Sequence, residues 1–444
     1  MMQSEKVLKM EAKELKEHIA RQYDSIEKHR KFNAFITVNK GADRPTIAIK
    51  DNITVKGMRA TGSSKIIDNY IAPYSATAVE RLKNLSIIGK TALDAFGTGS
   101  TGSNSDYGPV RNPHDEKRVA GGSSAGNGVA LALDMCDFAL GTDTYGSLRS
   151  PSSFCGVVGL RPSYGLVSRY GLMDLSMSLD TIGPMAHDVY GAAYILSMIV
   201  GHDSRDCLTE KSKKIEYHKE LDIDAKRLTM IVLEENDSDL VDRKVAKTVA
   251  SAVERLEQAG VKKVTAKLPD LDKSIPMYYL SMAAEFASAM QKFDGLRYGP
   301  REEGYELEEI VSKTRGRYLN AEIKRRIMLG TFVTMKEQQS KWYAAAIKAR
   351  ARLKQEINKV MERGDVLITP TMPVLPWKIE EIMDDPLKNY AMDLFSGLAP
   401  IIGGPALSVP CGNIGELPIG LQIGAKRFDE LKCLQLGNLF EGLK

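Results

Sequence analysis

Two serines and a lysine, widely separated in the chain, could together carry nucleophilic chemistry. Ser123 lies in Gly121-Gly122-Ser123-Ser124-Ala125-Gly126, Ser147 closes Gly141-Thr142-Asp143-Thr144-Tyr145-Gly146-Ser147, and Lys50 ends Ile47-Ala48-Ile49-Lys50. A serine hydroxyl attacks a carbonyl only when a base takes its proton. Histidine is the usual base, and Gly122-Ser123-Ser124-Ala125-Gly126 matches the G-x-S-x-G nucleophile elbow, whose histidine lies downstream. No histidine follows His218, and the elbow is preceded by polar Pro113-His114-Asp115-Glu116-Lys117-Arg118 instead of an apolar strand. The pattern argues against a Ser-His-Asp hydrolase. The missing strand argues equally against a nucleotide-phosphate cradle.

Ser147 is better placed, because it follows the apolar run Phe138-Ala139-Leu140-Gly141 and precedes a helix start at Leu148. Backbone N–H groups at such a turn are unpaired, and those of Thr144, Tyr145, Gly146 and Ser147 could hold a tetrahedral oxyanion, about 3 kcal/mol of barrier per donor. Ser147 could also simply cap the helix. Lys50, ending a short apolar strand, becomes a base near neutrality if desolvated. Otherwise it snorkels to the surface.

The elements that must position these residues follow from periodicity. Residues 1–30 are charged with apolar Leu8, Leu15 and Ile19, a surface helix; Phe35–Val38, Thr46–Ile49 and Ser86–Gly89 read as strands. Residues 95–128, rich in Gly, Ser and Asn, are too polar and turn-rich for a core element and read as an irregular stretch that is either functional or disordered. A βαβ unit is expected from strand Leu228–Leu233, a helix with Val245, Val249, Val253 and Leu256 on one face, a stop at Gly260 and strand Val261–Leu268. Helices over 278–293 and 338–363, strands Asp365–Pro370 and Ala406–Pro410, and a charged surface excursion over 205–227 complete an α/β reading with a mixed sheet.

The chain has 444 residues, 43% of them hydrophobic, and its 61 basic and 57 acidic side chains leave a net charge of +4. That near-balance gives no reason to expect a broad nucleic-acid-binding face. Five cysteines without C-x-x-C spacing argue against a disulfide framework or zinc site and predict reduced thiols in the cytoplasm. The N-terminal stretch has no apolar signal core, and no uncharged run reaches the roughly 18 residues of a membrane span, so neither secretion nor a membrane partner is expected.

Three stretches carry a resemblance to the amidase signature family: Val119–Gly126, Gly141–Pro151 and Phe154-Cys155-Gly156-Val157-Val158-Gly159-Leu160. The resemblance implies a single amidase domain over 1–444, a large mixed sheet covered by helices on both faces, with residues 271–360 as a helical elaboration forming a glutamine pocket. It implies Ser147 as nucleophile, Ser123 after a cis peptide as relay, and Lys50 as base. Within the family, Phe293–Gly299, Lys324–Phe332, Asp384–Leu387, Tyr390–Asp393 and Gly404–Gly412 are similar to the A subunits of glutamyl-tRNA(Gln) or aspartyl-tRNA(Asn) amidotransferases. That similarity implies Arg326 for the α-carboxylate of glutamine, Asp393 for its α-ammonium and Tyr278 beside them. It further implies no cofactor in this chain, ATP and Mg2+ used by a partner B subunit that phosphorylates misacylated tRNA, and a small C subunit. A stand-alone amidase and a catalytically silent scaffold are the alternatives. Tyr145 stands where the family usually has glycine, and Ala125 and Asn127 also replace more typical small residues. If position 145 needs a positive φ, a tyrosine there costs about 1 kcal/mol or more. With ordinary φ, its ring narrows the acyl pocket.

Overall fold

A computed structural model describes residues 2–211, 215–384 and 392–443. Its frame is a mixed 11-stranded sheet in the order β1-β3-β2-β4-β6-β5-β10-β11-β9-β7-β8. The strands are β1 Phe35–Val38, β2 Thr46–Lys50, β3 Ser86–Thr91, β4 Phe138–Asp143, β5 Val158–Arg161, β6 Thr181–Ala186, β7 Thr229–Leu233, β8 Lys262–Ala266, β9 Val366–Pro370, β10 Ala406–Ile414 and β11 Leu417–Ala425. Strand β2 runs parallel to both β3 and β4, which brings the C-terminal ends of β2 and β4 to the same side. Lys50 and Thr142 therefore meet there.

Alternate residues of the central strands pack into two separate apolar clusters. Ile47 and Ile49 of β2 and Phe138 and Leu140 of β4 join one, while Ala48 and Ala139 join the other. Both faces of the sheet are thus buried, as expected of α/β architecture.

The N-terminal helix is two, α1 Gln3–Leu8 and α2 Ala12–Lys28, with Val7, Ile19 and Ile26 buried. Helix α3 is Thr77–Glu80, α4 Ala125–Ala132, α5 Arg149–Cys155 and α6 Val189–Ile199. The expected βαβ unit is present: α7 Arg243–Gln258 joins parallel β7 and β8. Asp242 caps α7 by accepting from the N–H groups of Lys244 and Val245, and Gly260 (φ +104°) supplies the left-handed turn after it.

Helices α8 Ser274–Ala289, α9 Leu307–Tyr318, α10 Ala321–Thr334 and α11 Tyr343–Met361 follow, and Ile379–Asp384, Leu398–Ile402 and Glu430–Gly442 are helical toward the C-terminal end. Periodicity missed α10 because Met328, Phe332 and Met335 are exposed while Arg326 and Gly330 are buried. The informative residue was Gly330, where a Cβ would sit 1.9 Å from the Ala283 carbonyl oxygen of α8. Strand β6 was missed because Gly183 and Pro184 break the sequence signal of a strand, yet β6 runs without a break between β4 and β5.

The stretch 95–128 is irregular up to α4, as expected of a segment too polar and turn-rich for a core element, yet parts of it lie in the interior. Thr98, Thr101 and Asn112 are buried. Burial is tolerated because polar groups are paired: Asp94 accepts from the N–H groups of Gly102 and Asn104, each at 2.9 Å. Of the family-like stretches, residues 385–387 and 390–391 lie outside the described residues, as do 212–214 of the charged excursion. Among the described residues no helix is long and apolar enough to cross a membrane.

Candidate active site

Strand β2 ends on Lys50, which is fully buried. Its Nζ donates to Ser123 Oγ at 2.7 Å and to Thr142 Oγ1 at 2.8 Å. Burial pushes the amine down to about 7, against the raising influence of Asp94, Asp143 and Asp180. The side chain does not snorkel. The Gly122–Ser123 peptide is cis. The backbone N–H of the next residue, Ser124, donates to the Ser147 carbonyl at 3.1 Å, tying the two serine-bearing loops together. Ser147 Oγ makes no hydrogen bond among the described residues, so the Lys50–Ser123 link is formed and the Ser123–Ser147 link is open.

The loop from β4 to α5 is wound around Asp143. Its carboxylate accepts from Arg149 Nε and Nη2 and from Arg161 Nη1, each at 3.0 Å, and from the N–H groups of Gly146 at 2.9 Å and Leu148 at 3.2 Å. Burial alone would raise this carboxyl, but the two guanidinium groups hold it well below the usual range. One expectation is corrected here: the Gly146 N–H is taken by Asp143 and leaves the set of oxyanion donors. The N–H groups of Thr144, Tyr145 and Ser147 remain unpaired among the described residues. Gly146 is instead needed for shape, since its φ is +124° and a Cβ would lie 2.7 Å from Ser396 Cβ. Thr144 Oγ1 donates to Asp180 at 2.6 Å, and burial pushes that carboxyl up to about 6.

Tyr145 does not adopt a positive φ, so it carries no such strain. Its ring stacks on Tyr278 with centroids 3.8 Å apart and planes 10° apart, and its hydroxyl donates to the Ser274 carbonyl at 3.0 Å. The hydroxyl also presses on Gly397, where a Cβ would lie 1.9 Å from it. Tyr145 thereby joins three walls: the β4–α5 loop, α8 and the segment following Asp393.

Tyr278, Arg326 and Asp393 are all buried. Arg326 Nε donates to Glu322 Oε1 at 2.8 Å, one turn earlier on α10. Asp393 accepts from Ser100 Oγ at 2.9 Å and from Tyr279 Oη at 3.0 Å. Arg326 and Asp393 therefore do not form an ion pair with each other. Burial pushes Asp393 up to about 7, with the hydroxyls of Ser100 and Tyr279 and the nearby Arg326 and Arg149 opposing. The residue that sequence reading missed is Tyr279. Its ring lies 5.3 Å from the Arg326 guanidinium while its hydroxyl holds Asp393. Tyr278 faces Tyr145 instead, and two adjacent tyrosines gave no signal of which one turns toward the carboxylate.

Among the described residues no cluster of potential metal ligands occurs. The arrangement offers a buried amine near neutrality on one serine, a second serine with a free hydroxyl, unpaired N–H donors beside it, and a buried guanidinium and carboxylate.

The family model "Amidase" matches residues 45–434. A curated relative, the A subunit of glutamyl-tRNA(Gln) amidotransferase from Caldanaerobacter subterraneus subsp. tengcongensis, is 42% identical over 89% of this chain and 82% of its own length. The crystal structure of the A subunit of glutamyl-tRNA(Gln) amidotransferase from Thermotoga maritima superposes with a TM-score of 0.84 at 35% identity, covering 98% of this chain and 93% of that one. A 6-aminohexanoate cyclic dimer hydrolase at 24% identity, covering 98% of this chain and 94% of its own, reaches a TM-score of 0.83 and shares the fold alone. So similar a score for a different substrate leaves specificity to side chains. Fold, motif placement and these similarities agree that the chain belongs to the amidase family.

Proposed function

We propose that this protein hydrolyses glutamine and supplies the released ammonia as the A-type subunit of a tRNA-dependent amidotransferase. The observation that carries the reading is the fully buried Lys50 with its Nζ 2.7 Å from Ser123 Oγ. A lysine near neutrality exists in large part as the free amine at physiological pH, so it can act as a base. Neutral Lys50 takes the Ser123 proton as Ser123 takes that of Ser147, and Ser147 Oγ attacks the glutamine carboxamide carbon. The oxyanion faces the N–H groups of Thr144, Tyr145 and Ser147, where each donor lowers the barrier by about 3 kcal/mol. The proton returns through the serines to the departing ammonia, and water clears the glutamyl ester as glutamate.

Arg326 keeps guanidinium N–H groups beyond the one held by Glu322 for the α-carboxylate, and Asp393 receives the α-ammonium. The similar proteins are named as A subunits of a glutamyl-tRNA(Gln) amidotransferase, which supports a role beside further subunits, and the rest is our inference. Ammonia is delivered to a partner B subunit that uses ATP and Mg2+ to activate the carboxyl of Glu-tRNA(Gln) or Asp-tRNA(Asn), with a small C subunit, in the cytoplasm.

The test is ammonia release from glutamine, and formation of amidated tRNA, by the wild-type chain and Ser147→Ala with and without partner subunits and misacylated tRNA. Glutamine hydrolysis that rises on assembly and vanishes in the variant is expected. No hydrolysis in the complete complex would sink the proposal. Efficient turnover of simple amides without gain from partners would favour a stand-alone amidase, and unchanged glutamine-dependent activity in Ser147→Ala a silent scaffold.

A further inference from the structure

Away from the serines, a groove of about 500 Å³ opens between α11, the turn after β11 and the segment 207–210. Arg350 and Lys354, one turn apart on α11, and Arg427 line it, against one carboxylate, Glu210. Pro400, Ile401 and Ile402 form an apolar floor.

The compensation of these cations is incomplete. Arg427 Nη2 reaches Glu210 at 3.3 Å and the Tyr164 carbonyl at 3.1 Å. Arg350 spends its guanidinium on neutral acceptors, the Ser178 hydroxyl at 3.0 Å and the Ser178 carbonyl at 3.2 Å. Lys354 has no ion pair or hydrogen bond among the described residues. The recess thus holds two positive charges in excess, although the chain as a whole is nearly balanced at +4.

We propose that this groove binds a small organic phosphate. Phosphate oxygens match the guanidinium N–H groups that Arg350 and Arg427 keep beyond those held by Ser178, Tyr164 and Glu210, with Lys354 as a point charge. The volume exceeds what an inorganic anion needs and falls in the range of small-molecule sites, roughly 300–1,000 Å³. The floor of Pro400–Ile402 accepts an apolar or planar body. A recess bounded on one side by Glu210 suits a compact ligand better than the backbone of a nucleic acid, which needs an extended basic track.

The groove backs onto the candidate active site. Arg350 contributes to the field at the Tyr145 hydroxyl, and the floor belongs to the short helix Leu398–Ile402 that follows Gly397, against which Tyr145 packs.

The experiment is calorimetric titration of the intact protein with pyrophosphate, ATP without metal, citrate and unacylated tRNA, repeated for Lys354→Ala and for Lys354→Ala/Arg427→Ala. Lys354 is exposed and unpartnered, so its removal leaves the fold and glutamine hydrolysis unchanged. Expected is saturable binding of ATP that weakens with added salt, about fivefold weaker in the single variant and at least about tenfold weaker in the double. Pyrophosphate binding more weakly than ATP assigns the floor to the organic body. No heat from either phosphate at millimolar ligand, citrate binding as tightly as ATP, tRNA displacing ATP, or affinities unchanged in both variants would each overturn the proposal. Binding is read without turnover, so failure of the glutaminase reading leaves this result intact.

Discussion

Lowering the pH should switch off glutamine hydrolysis through two groups at once. The proposed mechanism needs Lys50 without its proton and Asp393 without its proton. Burial moves them in opposite directions from their ordinary values, the amine down and the carboxyl up, and both arrive at about 7. The signs agree: below that value Lys50 becomes an ammonium that accepts nothing, and Asp393 becomes a neutral acid that no longer holds the substrate's ammonium. Each group loses about tenfold of its competent form per pH unit. Because kcat/KM reports the free enzyme, its acid limb should approach a slope of about two, a fall of about a hundredfold between about pH 8 and about pH 6. In kcat the bound ammonium keeps Asp393 ionised, so only Lys50 titrates and the slope is about one. Asp393→Asn should lower kcat/KM throughout and reduce its slope to about one. The assay is enzyme-coupled ammonia release at constant ionic strength, with the active protein assembled as above. A wild-type kcat/KM limb of slope one, or a slope of two surviving in Asp393→Asn, would refute the reasoning.

Tyr279→Phe removes the hydroxyl bonded to Asp393 and keeps the ring beside Arg326. It should raise KM about tenfold with kcat little changed, whereas Tyr278→Phe should move neither. Asp143→Asn leaves the buried Arg149 and Arg161 facing a neutral amide. A loss of about 3–5 kcal/mol in urea unfolding is expected, and a change below about 1 kcal/mol would contradict the account of that loop. Tyr145→Phe keeps the stack on Tyr278 and loses only the bond to Ser274, about 1 kcal/mol, while Tyr145→Ala empties a buried aromatic site at about 3 kcal/mol or more; thermal unfolding separates them.

Much of this protein was legible because its signals are local. Gly260 and Asp242 punctuate the βαβ unit, and the alternation of Ile47, Ala48 and Ile49 reads as a strand buried on both faces. The absence of histidine after His218 argued against a Ser-His-Asp triad, while Lys50 ending a strand was left between a desolvated base and a surface lysine until its burial was seen. The tertiary structure decided what depends on direction and distance. It gave the Gly146 N–H to Asp143, paired Arg326 with Glu322 instead of Asp393, and turned Tyr279, not Tyr278, toward the carboxylate. It also brought Ser100 to Asp393 across 293 positions of chain. Periodicity encodes which face of an element is buried, through the repeat of its own side chains. It does not encode which of two buried partners a polar group meets, because that choice is made by residues remote in sequence once the sheet has brought them together.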